Sequence, residues 1–176
     1  MRIPFSQESE RYGKLELYDK QDVLLKALQL IEPRLRRLTV VVAGGVPILH
    51  GDIQIGRLVP LPIMGEGMAR LTSLILHISN AENGVVLVDE VENGLHYSVM
   101  GKVWTAIGEA ARQFNTQVFA TTHSRECIIA AHESFLKSGI YDFRLHRLDR
   151  VENTIETKTY DQEALSAAIE IGLEVR

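Results

Sequence analysis

Two strand-like runs flank one amphipathic stretch in the middle of this chain. Residues 85–88 read Val-Val-Leu-Val and residues 116–122 read Thr-Gln-Val-Phe-Ala-Thr-Thr. The first run is apolar at every position, as in a central parallel strand that is covered on both faces. Between the runs, apolar residues recur at helical spacing: Val99, Val103, Ile107, Ala110, Ala111 and Phe114. A strand, a helix and a strand in this order form a βαβ crossover, so the sequence predicts a parallel sheet with flanking helices.

The rest of the chain fits the same α/β class. Residues 1–19 show no clear period, and we expect this N-terminal segment to be poorly defined, with the domain proper covering residues 20–176. The other predicted elements are a helix over 22–31, a strand over 38–43, a hairpin turning at His50–Asp52, a helix after Gly67, a helix capped by Ser124, a C-terminal β-hairpin turning at Glu152-Asn153 and a short helix over 162–171.

Composition narrows the classes of function. The 176 residues carry a net charge of −4, so no overall basic field attracts nucleic acid. The single cysteine, Cys127, excludes an internal disulfide and a multi-cysteine zinc site. No apolar run approaches the roughly 20 residues of a membrane span, and the N-terminus lacks a signal-peptide core. We therefore expect a cytoplasmic protein with no membrane partner.

Polar side chains follow both predicted parallel strands. Asp89 and Glu90 come directly after the first strand, and Thr121, Thr122 and His123 end the second. Ligands of parallel α/β sheets bind beyond the carboxyl ends of the strands, so these side chains are expected to face one crevice. Carboxylates at such a position suit a magnesium ion that is shared with substrate phosphates. The alternative is that Asp89 caps a turn and Glu90 pairs with a surface lysine.

A glycine-containing segment precedes the helix that begins after Gly67. Gly65, Glu66 and Gly67 leave backbone amides exposed at a helix N-terminus, where the helix dipole favours an anion. Taken alone, this segment is better interpreted as an ordinary glycine-containing loop.

Together these motifs resemble the C-terminal half of an ABC-type ATPase head domain. They occur in the order Gly65–Gly67 with Arg70-Leu71, then "VVLVDE", "ENGLH" and "TTHS". The nearest resemblance is to the AAA_21 and OLD-like ATPases, and a more distant one is to the RecF and SMC heads. It extends from about residue 22 to the C-terminus. It implies a P-loop NTPase-like, ABC ATPase-type fold that is incomplete at its N-terminus.

The resemblance also implies a role for each matching position. Asp89 would belong to the Mg²⁺ shell as the Walker B residue, and Glu90 would be the general base or water-positioning residue. His123 would be the switch histidine that senses the γ-phosphate. Gly65, Glu66 and Gly67 would form a signature-like loop that contacts the nucleotide of the opposite subunit. Asn93, Gly94 and Leu95 would form the D-loop at the dimer interface.

The sequence departs from the family pattern at three places. Val91 replaces the proline that often follows the catalytic Glu, a change of little consequence. Met64 stands where the signature serine is expected, which removes a hydroxyl contact to the γ-phosphate. A P-loop also needs Gly, four residues and then Gly-Lys-Ser/Thr. Gly-Lys occurs only at Gly13-Lys14 and Gly101-Lys102, and neither pair continues with Ser or Thr. We expect the Walker A half to lie upstream, in the same protein or in a separate polypeptide.

The expected function is ATP binding and hydrolysis, with Mg²⁺ and ATP as cofactors, once a Walker A half completes the site. The expected partners are that half or a full-length protomer, in a homodimer through the ATPase head. Nucleic acid is possible by family but has no support from the charge balance. A non-catalytic interaction or regulatory module with the same fold is the alternative. A metal-dependent nuclease using Asp89, Glu90, Glu92 and His96 is less favoured, because its acids are bunched within eight positions.

Overall fold

The computed structural model describes residues 5–172 of the chain. Its helices and strands follow the order of an α/β protein, and they alternate singly between residues 66 and 138. Two short 3-10 helices cover Leu61–Ile63 and Tyr97–Val99. The longer elements are α1 (Phe5–Leu17), α2 (Asp22–Gln29), β1 (Arg37–Ala43), β2 (Val46–Asp52), β3 (Leu58–Pro60), α3 (Glu66–Ser79), β4 (Val85–Val88), α4 (Met100–Gln113), β5 (Gln117–Ala120), α5 (Arg125–Ser138), β6 (Leu145–Val151), β7 (Thr154–Tyr160) and α6 (Gln162–Glu170).

The predicted βαβ crossover is present. β4 and β5 pair in parallel, from Val85 opposite Gln117 to Val88 opposite Ala120. The ladder continues one step further, because the Thr121 amide donates to the Val88 carbonyl at 2.9 Å. Helix α4 connects the two strands, so their carboxyl ends lie side by side at one edge.

The expectation that β4 is buried on both faces is wrong for the described residues. Val86 and Val88 point into the core and are each 9% exposed. On the opposite face, Val85 is 56% exposed, Leu87 is 78% exposed and Phe119 of β5 is 49% exposed. Leu87 and Phe119 are cross-strand partners, so they form a contiguous apolar surface. No described element covers this surface, which we call the open sheet face.

A separate antiparallel sheet of order β1-β2-β3 precedes the parallel pair. The predicted turn at His50–Asp52 is wrong, because β2 runs through to Asp52 and His50 pairs with Thr39 of β1. The chain reverses instead between Asp52 and Leu58, where Gln54 and Gly56 have positive φ. The alternation of apolar and polar residues could not locate this turn, because apolar residues both precede and follow it.

The N-terminal segment differs from its expectation. Residues 5–17 form α1, and Tyr12 and Leu15 of this helix are buried in the main core. The expectation for residues 1–4 falls outside the described part of the chain. α1 packs beside α3, where the Asn80 side chain donates to the Arg11 carbonyl at 3.4 Å.

The main core forms around α3 and α4. The inward faces of these helices carry Leu71, Ile75 and Ile78 from α3 and Val103 and Ile107 from α4, all 3% exposed or less. Apolar residues at this spacing form one helical stripe, which is why the sequence predicted both helices. α3 therefore has a fixed position against the sheet, and its N-terminus reaches the carboxyl end of β4.

The C-terminal elements match the sequence prediction. β6 and β7 form an antiparallel hairpin whose last pair is Val151 with Thr154, and Glu152 takes a left-handed conformation at the turn. α6 then packs on α5 through a small second core of Ile128, Leu165 and Ala168. Over residues 5–172, no helix is both long enough and apolar enough to cross a bilayer.

Candidate functional site

Residues 89–96 leave the carboxyl end of β4 as a compact turn, which we call the carboxylate turn. Its anchor is Val91, which is fully buried and whose amide donates to the Thr121 carbonyl at 3.0 Å. Asp89 and Glu90 precede this anchor and are both exposed. The chain thus buries one apolar residue so that the two carboxylates before it remain at the surface.

Thr121 organises both carboxylate residues from the adjacent strand. Its hydroxyl donates to Asp89 Oδ1 at 2.6 Å and accepts the Glu90 amide at 2.9 Å. A hydroxyl can do both because it has one donor and two lone pairs. The predicted convergence of the two strand ends is therefore present as direct hydrogen bonds. The sequence pointed to Thr121 as a strand-end residue but not to this bridging role.

Glu90 has an unusual backbone. Its φ is +47°, in the left-handed region that costs a non-glycine residue on the order of 1 kcal/mol or more. Asn93 compensates from within the turn: its amide donates to the Glu90 carbonyl at 3.0 Å and its side chain donates to Glu90 Oε2 at 2.5 Å. The Glu90 carboxylate is consequently held by one neighbour and is exposed on its other side.

The backbone at His123 is held by Glu92. Glu92 Oε1 accepts the His123 amide at 2.9 Å, so the turn after β4 and the segment after β5 are tied a second time. Burial opposes ionisation of Glu92, but its own amide, the His123 amide and the Thr122 hydroxyl outweigh that effect and lower its pKa. The sequence offered no signal for this role, because Glu92 is simply a third acid in an acidic stretch.

The predicted signature-like loop and the predicted D-loop are neighbours. Gly65 has φ +114° and directly precedes α3, which begins at Glu66. A Cβ placed on Gly94 would lie 3.1 Å from Glu66 Cγ, and one on Gly67 would lie 3.9 Å from Leu95. The N-terminal turn of α3 thus rests against Gly94 and Leu95. Sequence spacing could not have shown this contact.

The donor set at this edge fits magnesium shared with a nucleotide. No group of three or more His, Cys, Asp or Glu side chains converges on a common point anywhere in the described region. Mg²⁺ commonly uses one or two carboxylates together with waters and substrate phosphates, so a cage built from protein alone is not required. Asp89 supplies such a carboxylate, with Oδ1 already oriented by Thr121.

The four side chains of the nuclease hypothesis do not converge. Glu92 accepts the His123 amide, and the Nδ1 atom of His96 accepts the Ser98 amide at 3.3 Å. Both side chains thereby accept hydrogen bonds from backbone amides. Two-metal hydrolysis needs carboxylates that surround the ions, and this arrangement does not provide them.

The sequence is similar to known ATPase families. Residues 18–128 match the profile described as AAA ATPase domain. An ATP/GTP phosphatase of Helicobacter pylori is 36% identical over 73 residues, which are 40% of this chain and 20% of that protein. An uncharacterized protein of Methanocaldococcus jannaschii is 28% identical over 113 residues, which are 64% of this chain and 99% of that protein. The chain thus spans only a fifth of the Helicobacter relative.

Solved structures with a similar fold are heads of SMC ATPases. An SMC head bound to the C-winged helix domain of ScpA has a TM-score of 0.56 at 12% identity, covering 83% of this chain and 43% of that chain. A structure described under ATP-driven dimerization and DNA-stimulated activation of SMC ATPases has a TM-score of 0.52 at 11% identity, covering 92% and 96%. The fold is therefore the α/β, P-loop NTPase-like fold of ABC ATPase-type heads, as the sequence motifs predicted.

Proposed function

We propose that this chain, which belongs to the AAA ATPase domain family, supplies the hydrolytic edge of an ATP site. The observation that carries the proposal is the joining of Asp89, Glu90 and Thr121 by hydrogen bonds at the carboxyl ends of two parallel strands. In this role Asp89 belongs to the magnesium shell, Glu90 orients or deprotonates the attacking water, and His123 senses the γ-phosphate.

The geometry indicates how each residue would act. Bound magnesium would neutralise charge that develops on the phosphates during transfer. Asp89 Oδ2 has no hydrogen-bond partner among the described residues, so it is the oxygen free to face that ion. The exposed side of the Glu90 carboxylate faces solvent, where a water can bind, while Asn93 fixes its Oε2 atom. Glu92 holds the backbone at His123, so that the histidine ring projects from a fixed point.

A second half of the domain completes the site in this proposal. No segment of the 176-residue sequence has the P-loop pattern. In this proposal the backbone amides that bind the phosphates therefore belong to the Walker A half. The open sheet face supports this view, because Val85, Leu87 and Phe119 form an apolar surface next to the site without a covering element among the described residues. We propose that the half with the Walker A loop packs on this face.

We also propose that two completed heads associate. Gly65 and Glu66 are exposed beside the exposed Asn93 and Gly94, so both predicted interface loops lie on one surface. The likeness to a structure described under ATP-driven dimerization supports an ATP-dependent dimer, although the residue contacts in such a dimer would be specific to this protein. Met64 provides no hydroxyl, so contact to the opposite nucleotide would come from the amides of residues 65–67.

The test is Glu90→Gln in the complete protein, with this chain joined to or mixed with its Walker A half. Loss of a positioned general base should lower kcat by about 10²- to 10⁴-fold. ATP affinity should stay within about threefold, because the amide keeps the shape of the carboxylate. Steady-state turnover and equilibrium binding of a fluorescent ATP analogue give the two readouts.

Glu152→Gln is the matched control, because Glu152 is an exposed residue at the β6–β7 turn. It should leave both readouts unchanged. Undiminished turnover in Glu90→Gln would remove Glu90 from its role. If the wild-type chain binds the Walker A half but the resulting complex hydrolyses no ATP, the result would favour the non-catalytic interaction module instead.

A further inference from the structure

Arg70 connects the predicted signature-like loop to the carboxylate turn. It lies in the second turn of α3, and its Nη2 atom donates to the carbonyl oxygens of Asp89 and Glu90, both at 3.3 Å. We infer that Arg70 is a positioning residue for hydrolysis, which transmits the position of the α3 N-terminus to Glu90. This inference rests on the proposed function for its catalytic consequence, but its structural part can be tested separately.

Arg70 is a cation beside two carboxylates, and its hydrogen bonds show why it does not neutralise them. Arg70 binds the backbone carbonyls of Asp89 and Glu90 and not their carboxylates. Because Thr121 and Asn93 occupy Asp89 Oδ1 and Glu90 Oε2, the other oxygen of each carboxylate is left for a metal ion or a water. A guanidinium suits this position, since its planar, permanently charged group can hold two acceptors in a fixed geometry.

The same carbonyl of Glu90 also accepts the Asn93 amide at 3.0 Å. Two donors thus hold the peptide that follows Glu90, whose φ of +47° is unfavourable without such support. Asn93 belongs to the turn itself and moves with it. Arg70 belongs to a helix that is packed in the core, so of these two donors it is the one that ties the Glu90 carbonyl to α3.

Two further contacts join the same pair of elements. Glu66 lies against Gly94, and Gly67 lies near Leu95. The N-terminal turn of α3 therefore touches the carboxylate turn at Gly94 and Leu95, while Arg70, one turn further along the helix, binds it at Asp89 and Glu90. A ligand that shifts the loop at 65–67 would move Glu90 through these connections.

A positioning role for Arg70 predicts an effect on the rate of ATP turnover and none on ATP binding. The Arg70 guanidinium bonds to backbone carbonyls of the turn, so its removal should misplace Glu90 without weakening ATP affinity. Misplacement of a catalytic group by about 1 Å can cost on the order of 100-fold in rate. We expect Arg70→Met to lower kcat of the complete protein by about 10- to 100-fold with KM within about threefold.

The structural readout uses this chain by itself. Amide hydrogen exchange should become about tenfold faster at Asn93, because its acceptor, the Glu90 carbonyl, loses the hydrogen bond that ties it to α3. Arg70→Lys keeps the charge with a single ammonium group and should restore part of kcat. Arg36→Met, which changes an exposed arginine at the start of the β1–β2 sheet, is the control and should alter neither exchange at Asn93 nor turnover.

The outcomes distinguish the two proposals. Unchanged exchange at Asn93 in a folded Arg70→Met chain would overturn the inference, as would a raised KM with an unchanged kcat. Faster exchange together with full kcat would also overturn it, since the turn would then move without consequence for hydrolysis. If the complete wild-type protein has no turnover, the proposed function fails, and exchange alone decides whether Arg70 holds the turn.

Discussion

Left-handed backbone at Glu90 and Gly94 gives the carboxylate turn its shape. Glu90 has φ +47° and Gly94 has φ +76°. Between them the chain reverses tightly enough for Asn93 to hydrogen-bond Glu90 twice. Glycine is favoured at this position for a second reason, because a Cβ on residue 94 would lie only 3.1 Å from Glu66 Cγ. The glycine thus serves both the turn and the approach of α3.

Comparison of Gly94→Ala with a control glycine should separate the cost of the positive φ from the cost of the contact with Glu66. The new Cβ would meet Glu66 Cγ at 3.1 Å in addition to the unfavourable φ, so we expect a loss of roughly 2 kcal/mol in the free energy of unfolding. Gly56→Ala is the matched control: its φ is +78° but no atom lies within 4 Å of its Cβ position. It should lose only roughly 1 kcal/mol. Urea denaturation measures both, and equal losses would show that the Glu66 contact is unimportant.

At the scale of single elements, the two faces of β4 differ in their exposure to solvent. Its odd-numbered residues form part of the open sheet face, whereas Val86 and Val88 are packed on the helices. A strand with apolar residues on both faces normally lies inside a sheet that is covered on both sides. The composition of β4 is therefore suited to a larger assembly than residues 5–172 provide, in agreement with the proposed second half.

The paired substitutions Val85→Thr and Val86→Thr test this property of β4. They introduce the same hydroxyl at neighbouring positions on opposite faces. In this chain alone, Val86→Thr should lower the free energy of unfolding by about 1–3 kcal/mol, because a buried hydroxyl is desolvated. Val85→Thr should change it by less than about 0.5 kcal/mol.

The same pair should behave differently in the complete protein. The proposal places the Walker A half on the open sheet face, so Val85→Thr should weaken binding of that half, as measured by calorimetric titration. Binding as tight as that of the wild type would show that the second half does not pack on Val85.

For the whole molecule, two histidines at the junctions between helices make stability depend on pH. His132 of α5 is buried, with Tyr141 Oη 2.7 Å from Nδ1 and Ser166 Oγ of α6 3.2 Å from Nε2. Burial lowers its pKa, and the charge of Glu133 opposes this only in part. Burial also lowers the pKa of His77, and the nearby charges of Arg11 and Arg70 act in the same direction.

These shifts predict a loss of stability in mild acid. Because the folded pKa values lie below the ordinary value of 6.5, the unfolded chain binds protons more readily than the folded one. The stabilising contribution is complete above pH 6.5 and is lost as the pH falls through the folded values. Urea denaturation at pH 7.5 and pH 5.5 should show the lower stability at pH 5.5. The double variant His77→Gln and His132→Gln should show a smaller difference, and an identical difference would contradict the assignment.

Local pattern was sufficient wherever an element depends on its own residues. The helical stripe of α4, the N-cap at Ser124, whose Oγ accepts the Cys127 amide, and the hairpin turn at Glu152 were all predicted and are all present. The order of the motifs also predicted the ATPase-type fold. Such features are readable because periodicity and capping act over a few residues. The roles of Asp89, Glu90 and His123 remain predictions.

Other features depend on contacts between distant residues. The bridging role of Thr121, the tie from Glu92 to His123 and the bond from Arg70 to the carboxylate turn join residues about 20 to 32 positions apart. The burial of β4 was misjudged for the same reason, because exposure of a face depends on which elements pack against it. The sequence alone determined the helices and parallel strands from residue 66 to residue 138, their order and the acids at the end of β4. Only the tertiary structure decided which groups hold those acids and which sheet face stays open, because both depend on packing between separate parts of the chain.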